Sequence, residues 1–290
     1  MLNNKVQLGR YDWEWIFIKI PFIGFWLGLI NQNLDKINAI VVDRGLCIII
    51  DCNLLVFDYV KDFVFFVAVL FSIFYLLEKK MILTTSGLTL ISLLVFSLRE
   101  SSGYQDRSGI LVLIFFSQLL AYAFYKDKPH RLNLRKMRIL YPIQVIVACY
   151  TLSSISKLSH SGLSWFLEPG NFVLQILKTV QNFALSFHDT TAINLEMAKV
   201  QWVSEHELLV SLALFVAMMT ELTCGMALIN KKTRLLWGFA LLFMHIGISY
   251  MMHIKITPFL YPMIFFLINP GYLILWSFKT IYLKLAYYPS

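Results

Sequence analysis

Eight long apolar stretches constrain the fold of this chain more than any other feature of its sequence. Each contains 17 to 24 residues with few charges, and a helix needs about 20 apolar residues, or about 17 in places, to cross a bilayer. The sequence therefore predicts an all-α, polytopic membrane helical bundle. The eight predicted spans are residues 14–30, 59–77, 81–98, 108–125, 139–156, 206–229, 235–252 and 259–278.

The composition favours the same class of protein. Hydrophobic residues make up 58% of the chain and charged residues only 14%, whereas soluble domains carry about 25% charged residues. The net charge is +8, but the cations lie in short loops rather than on the basic stripe of a polar fold, which argues against nucleic acid as a partner. We expect a single integral membrane domain over residues 1–290, with the lipid bilayer as the partner of most of its surface.

The charges of the loops give an independent prediction of orientation. Lys and Arg accumulate on the cytoplasmic side of membrane proteins, and here basic loops alternate with acidic, neutral or mixed ones. The strongest basic cluster lies within residues 126–138, whereas loops 31–58 and 157–205 are acid-rich and mixed. Eight spans in the cell membrane with both termini cytoplasmic satisfy this alternation. The N-terminus lacks a small-residue cleavage site, so we expect the first span to be retained.

Two outer loops contain further predicted elements. In residues 171–187 apolar side chains recur at helical spacing opposite a polar face, which predicts an extracytoplasmic amphipathic helix at the surface or capping the bundle. The apolar run 45–57 is too short to cross the membrane twice and is interpreted as a re-entrant or interfacial element. It contains Cys47 and Cys52, which could form a disulfide, although their spacing alone does not decide this.

Three ionisable residues in the predicted spans are candidates for function, because such groups are costly inside a membrane. Lys157 terminates the fifth span at its outer end, Glu221 lies inside the sixth, and His245 lies near the middle of the seventh. A tight loop makes the last two spans antiparallel neighbours, so Glu221 and His245 could form a hydrogen bond at similar depth. Lys19, near the start of the first span, is expected to extend its amine to the interface.

Each candidate has a structural as well as a functional interpretation. A Glu221–His245 contact could simply hold two helices together, at about 0.6 kcal/mol, and Lys157 could reach the lipid headgroups. Alternatively, desolvation beneath the outer loop favours the neutral amine of Lys157, which could then act as a base. The sequence contains no phosphate loop, zinc spacing or nucleophile elbow, so soluble-enzyme chemistry is not indicated.

Short segments between about residues 100 and 270 carry a family resemblance. They are residues 150–158 followed by Trp165, Glu221-Leu222, residues 243–245 and residues 254–259. Together they resemble the HTTM family, membrane proteins related to the transmembrane region of vitamin K-dependent gamma-carboxylase. The resemblance implies that Lys157 is a catalytic base at the extracytoplasmic face, with Glu221 and His245 as further site residues. A reduced quinone of the vitamin K type is the only cofactor that the resemblance implies.

The chain departs from the carboxylase at several points. The carboxylase has His-Ser where the fourth span begins, whereas this chain has Arg107-Ser108, and a guanidinium cannot accept a proton. The glycine that usually follows the Trp is displaced to Gly170, and no hydrophilic segment is long enough for the carboxylase's lumenal domain. The chain is closer in size to small bacterial members, which resemble a protein that matures a secreted peptide toxin, the sporulation-delaying system.

Three functions are therefore carried as hypotheses. The first is a membrane enzyme or maturation factor that acts at the extracytoplasmic face on a peptide or a quinone-like lipid, with Lys157 as base. The second is a transporter or lipid-binding protein in which Glu221 and His245 line a polar path. The third is a structural subunit, without chemistry of its own, that recruits a small secreted peptide or a partner subunit.

Overall fold

The computed structural model describes residues 10–103, 108–125, 131–187, 190–252 and 256–277. These residues form helices, short helical turns and loops, with no strand among them, which confirms the all-α class. Two compact units are present: unit 1 comprises Met1–Ile146 and Tyr261–Ser290, and unit 2 comprises Val147–Leu260. The helices are α1 (Arg10–Asp35), α2 (Asp58–Leu76), α3 (Met81–Ser101), α4 (Gly109–Tyr125), α5 (Arg131–Ser161), α6 (Ser164–Leu167), α7 (Gly170–Phe187), α8 (Thr190–Glu205), α9 (Glu207–Leu222), α10 (Lys231–Met252) and α11 (Thr257–Met263).

Within the described residues, six helical segments are long and apolar enough to cross a bilayer. They coincide with the first, second, third, fifth, seventh and eighth predicted spans, and several extend beyond the apolar run. Helical hydrogen bonding continues into the polar ends, which a hydropathy pattern does not detect. The six segments are Asp12–Asp35, Asp58–Leu76, Met81–Ser101, Asn133–Ser161, Lys231–Met252 and Thr257–Ser277.

The other two predicted spans are helical but shorter or broken. α4 has 17 residues and is a short apolar helix. The predicted span 206–229 contains α9 and a short 3₁₀ turn, Cys224–Leu228. α9 is bent by 95° from the preceding helix across His206. The total of eight spans thus stays a prediction.

An ionic cluster joins α1, α5 and the turn after α2 in unit 1. Arg138 donates to Glu78 at 3.0 Å and to Asp12 at 3.2 Å, and its guanidinium lies 4.9 Å from the centre of the Trp15 ring. Lys19 donates to Glu78 at 2.7 Å. Lys19 is only 9% exposed, and its amine ends at the turn after α2; the position of this amine relative to the membrane interface stays a prediction. The charge-assisted hydrogen bonds offset part of the desolvation cost of holding these ions between helices.

The run 45–57 consists of two 3₁₀ turns, Gly45–Ile48 and Cys52–Val56. Cys47 and Cys52 form a disulfide, which resolves the alternative left open by their spacing. Gly45 has a φ of 57°, and a Cβ at this position would collide with Ser97 Oγ, so glycine is required where the loop crosses α3. Apolar side chains around the disulfide, such as Ile49 at 83% exposure, remain uncovered within unit 1.

The fold of unit 2 begins with the second half of α5 and then forms α6 to α10. The helix predicted over residues 171–187 is present as α7, but its position at an outer surface stays a prediction. Ile176, Val203 and Val210 form the buried core that joins α7, α8 and α9. Burial of such side chains contributes about 1.5–3 kcal/mol each, which holds the short helices together.

Candidate functional site

The centre of the candidate site is an ion pair in unit 2. Lys157, in the last turns of α5, donates to Glu221 Oε2 over 2.6 Å. Glu221 lies near the end of α9, and its side chain is only 5% exposed, whereas that of Lys157 is 26% exposed. The carboxylate is therefore buried behind an amine that remains accessible.

A second residue contacts the same amine from the turn that follows α5. α5 ends at Ser161, and Gly162 follows with a φ of 58°. The Gly162 N–H donates to the carbonyl of Leu158, a common way to end a helix at a glycine. The chain then turns into α6, which brings the Trp165 ring to 4.7 Å from Lys157 Nζ. A cation over an indole ring is stabilised by about 0.5–2 kcal/mol.

His245 lies on α10 and contacts α5 as well. The Tyr150 hydroxyl and His245 Nε2 lie 2.7 Å apart, and His245 is 7% exposed. His245 Nδ1 has no hydrogen-bond partner among the described residues. A buried imidazole nitrogen without a partner is unfavourable, so this atom is available to a ligand or an ordered water.

One face of α5 organises the whole arrangement. Tyr150, Ser154 and Lys157 follow one another at spacings of four and three residues and therefore share a helix face. Ser154 Oγ donates to the carbonyl of Met218 over 3.2 Å, which fixes α5 to α9. The three candidate residues of the sequence analysis all lie in unit 2, each bound to α5 or part of it.

The partners differ from those that the sequence suggested. The sequence left open a hydrogen bond between Glu221 and His245, but Glu221 binds Lys157 and His245 binds Tyr150. Tyr150 and Ser154 were missed as members of the site. Their polar spacing with Lys157 on an otherwise apolar helix is the signal that could have identified them.

A second buried pair was also missed. Lys199 donates to Glu196 over 2.7 Å and to the carbonyl of Tyr250 over 2.9 Å. Tyr250 lies in the last turn of α10, where carbonyl groups lack helical partners, so Lys199 caps that helix end. The spacing of three residues between Glu196 and Lys199 was the available sequence signal.

An apolar cavity of about 630 Å³ lies in unit 2, between residues of α7 to α10. Thr220 and Met244 line it and directly precede Glu221 and His245. No group of His, Cys, Asp or Glu within the described part of the chain is arranged to hold a metal ion. Arg107, Ile254 and Lys255, which belong to the family comparison, lie outside the described residues.

Comparison with known proteins adds no relative. No family model matches the chain, and neither curated proteins nor solved structures provide a match. The class of the protein therefore follows from its own helices. Six apolar segments of sufficient length, together with charged side chains held between helices, define a multi-pass integral membrane protein.

Proposed function

We propose that this protein is an HTTM-like membrane enzyme or maturation factor that uses Lys157 as a base. It acts at the extracytoplasmic face on a peptide or a quinone-like lipid. The observation that carries the proposal is the 2.6 Å contact between Lys157 Nζ and Glu221 Oε2. It provides a buried proton acceptor next to an amine that remains 26% exposed.

The pair supplies a route to a neutral amine. Two opposite charges lose their hydration when they are buried. Transfer of a proton from the Lys157 ammonium to the Glu221 carboxylate neutralises both groups and leaves an amine with a free lone pair. That amine can take a proton from an acidic O–H, N–H or C–H of a bound substrate. Trp165, at 4.7 Å from the amine, favours return of the ammonium form after the reaction.

His245 has a supporting role in the proposal. Tyr150 holds Nε2 in place, and Nδ1 remains without a partner among the described residues. An imidazole anchored at one nitrogen can orient a substrate oxygen at the other. Glu221, His245 and Lys157 thus form the proposed catalytic set, with Tyr150 as a positioning residue.

The proposed topology has eight spans in the cell membrane with both termini in the cytoplasm. Loop charges support it, and so does the Cys47–Cys52 disulfide. Disulfides persist in oxidising compartments, so this pair favours an extracytoplasmic position for loop 31–58. The same alternation assigns the outer end of α5, with Lys157, to the extracytoplasmic side.

The test compares cells that carry the native protein with cells that carry Lys157→Met or Lys157→Arg. Lys136→Met is the matched control, because Lys136 lies exposed on the same helix. Untargeted mass spectrometry of secreted peptides and membrane lipids is the readout. We expect a product that requires the native chain, persists in Lys136→Met and disappears in both Lys157 variants. Equal products in the Lys157 variants, at equal protein level, would refute the base role.

A transporter is the second candidate, because α8 and α9 form a broken helix pair bent by 95°. Discontinuous helices often form the ion and substrate sites of transporters. On this alternative, Glu221 and His245 line the path. Substrate flux into proteoliposomes that Glu221→Gln abolishes and Lys157→Arg preserves would favour transport over base catalysis.

A further inference from the structure

The apolar cavity in unit 2 has the size and lining of a ligand site. Its volume is about 630 Å³, within the range of about 300–1,000 Å³ that is typical of small-molecule pockets. Among its lining residues only Thr220 and Trp202 carry polar side-chain atoms. The Thr220 hydroxyl is already used, since it donates to the carbonyl of Val216 over 2.8 Å.

We infer that this cavity binds the single hydrocarbon chain of an amphiphile that enters from the bilayer. The lining offers apolar contact and almost no hydrogen-bond partners. A peptide segment would leave its backbone N–H and C=O groups unsatisfied there, which is unfavourable for each group. A hydrocarbon chain has no such groups and gains from every apolar contact.

The residues that line the cavity are neighbours in sequence of two candidate site residues. Ala213, Ala217 and Thr220 line one wall at helical spacing on α9, and Glu221 is the next residue. On α10, Met244 and Ile248 line the facing wall, with His245 between them in sequence. Lining residues therefore flank Glu221 and His245 in sequence, although neither of these side chains lines the cavity itself. Assignment of the amphiphile as substrate rests on the proposed function, whereas binding of the chain does not.

Exposed side chains mark the entrance of the cavity. Leu209, Leu212, Val216 and Phe243 line it and are each more than half exposed. All four are apolar, and α10, which carries Phe243, is one of the six candidate spans. A lateral opening bordered by such residues contacts lipid chains rather than water.

Gly247 offers a way to close the cavity without disturbing the helix. It lines the cavity, and a Cβ at this position would have no heavy atom within 4 Å. Gly247→Phe should therefore fill the space with a ring. Gly28→Phe is the matched control, because Gly28 also lies inside a helix with open space around it but does not line the cavity. Ala213→Phe provides a second closing variant.

The experiment measures saturable binding of tritiated stearic acid to the full-length protein in lipid nanodiscs. We expect binding by the native protein and Gly28→Phe, and an affinity weaker by about tenfold in Gly247→Phe and Ala213→Phe. Thermal unfolding of each variant checks that it folds. Competition with hexadecanol or farnesol then assigns the natural chain as straight or isoprenoid. Absence of saturable binding, or equal binding by folded Gly247→Phe and Ala213→Phe, would overturn the inference.

Lys157→Met separates this inference from the proposed function. If Lys157→Met binds hexadecanol through the cavity and still forms every product, the chain-binding site is supported and the base role of Lys157 is refuted. If Lys157→Met forms no product and no cavity-dependent binding is found, the base role is supported and the chain-binding site is refuted.

Discussion

The Tyr150 hydroxyl lies 2.7 Å from His245 Nε2, and Tyr150 is two helical turns before Lys157 on the same face of α5. One helix face therefore holds both the imidazole of α10 and, through Lys157, the carboxylate of α9. α5 is the element on which the candidate site is assembled. Changes on that face should affect the geometry and the stability of unit 2 together.

Tyr150→Phe should destabilise the protein by about 1–3 kcal/mol, because it leaves a buried imidazole nitrogen unsatisfied. The free energy of unfolding, measured by titration with sodium dodecyl sulfate in mixed micelles, tests this. Tyr59→Phe is the control, since Tyr59 is 71% exposed. Equal stability of Tyr150→Phe and the native protein would show that this hydrogen bond contributes little.

Lys157→Met alone should cost about 3 kcal/mol of stability, because the Glu221 carboxylate would remain buried without its partner. Addition of Glu221→Met should restore much of this loss, with a coupling energy of about 0.5–3 kcal/mol. The pair Lys61–Asp58, in which the Asp58 side chain is 95% exposed, provides a control cycle, and its coupling should be smaller. Additive effects of the two substitutions would contradict the observed pair.

Unit 1 should lose stability in acid through Glu78, which lies in the turn after α2. Burial acts to raise the pKa of Glu78, but the hydrogen bond from Lys19 and the charges of Arg138 and Lys19 lower it overall, below its usual value of 4.5. A carboxyl whose pKa is lowered by folding stabilises the protein above its unfolded pKa. This stabilisation is lost as the pH falls through the folded value.

Unfolding temperatures measured between neutral pH and pH values below about 4 test this prediction. Glu78→Gln should lower the unfolding temperature at neutral pH and flatten the acid part of the profile. Glu168→Gln, at an exposed carboxyl of unit 2, should leave the profile unchanged. If Glu78→Gln and the native protein lose stability identically in acid, protonation of Glu78 does not cause that loss.

The Cys47–Cys52 pair predicts a reductant-dependent labelling pattern. In intact cells, a membrane-impermeant maleimide should label these cysteines only after mild reduction, because disulfides form in an oxidising compartment. The double variant Cys47→Ser/Cys52→Ser should abolish the additional label, whereas Cys149→Ser should retain it. Additional labelling that appears only after the membrane is permeabilised would contradict the extracytoplasmic position of the loop.

The apolar runs predicted the helices well, because the hydrophobic signal of a membrane helix is local in sequence. The break between α8 and α9 was not predicted. The region 190–205 combines charged and apolar residues, so the pattern gave only a mixed loop. Burial of Glu196 and Lys199 against the end of α10 stabilises this helix instead, and such a contact is invisible in a local pattern.

The sequence also did not predict which side chains on different helices contact one another. Adjacent spans indicated that Glu221 and His245 could meet, because a tight loop makes two helices neighbours. The rotation of each helix about its own axis decides which side chains face one another, and packing of the whole unit sets that rotation. Lys157, 64 residues before Glu221, was therefore not recognised as its partner.

The sequence by itself indicated a multi-pass helical membrane protein and singled out Lys157, Glu221 and His245 as candidate site residues. It did so because the transfer of apolar and ionisable groups into lipid depends on composition over one helix length. Only the tertiary structure decided that Lys157 pairs with Glu221, that Tyr150 holds His245 and that Lys19 is buried against Glu78. Those contacts join residues on different helices, and their geometry depends on how the helices pack.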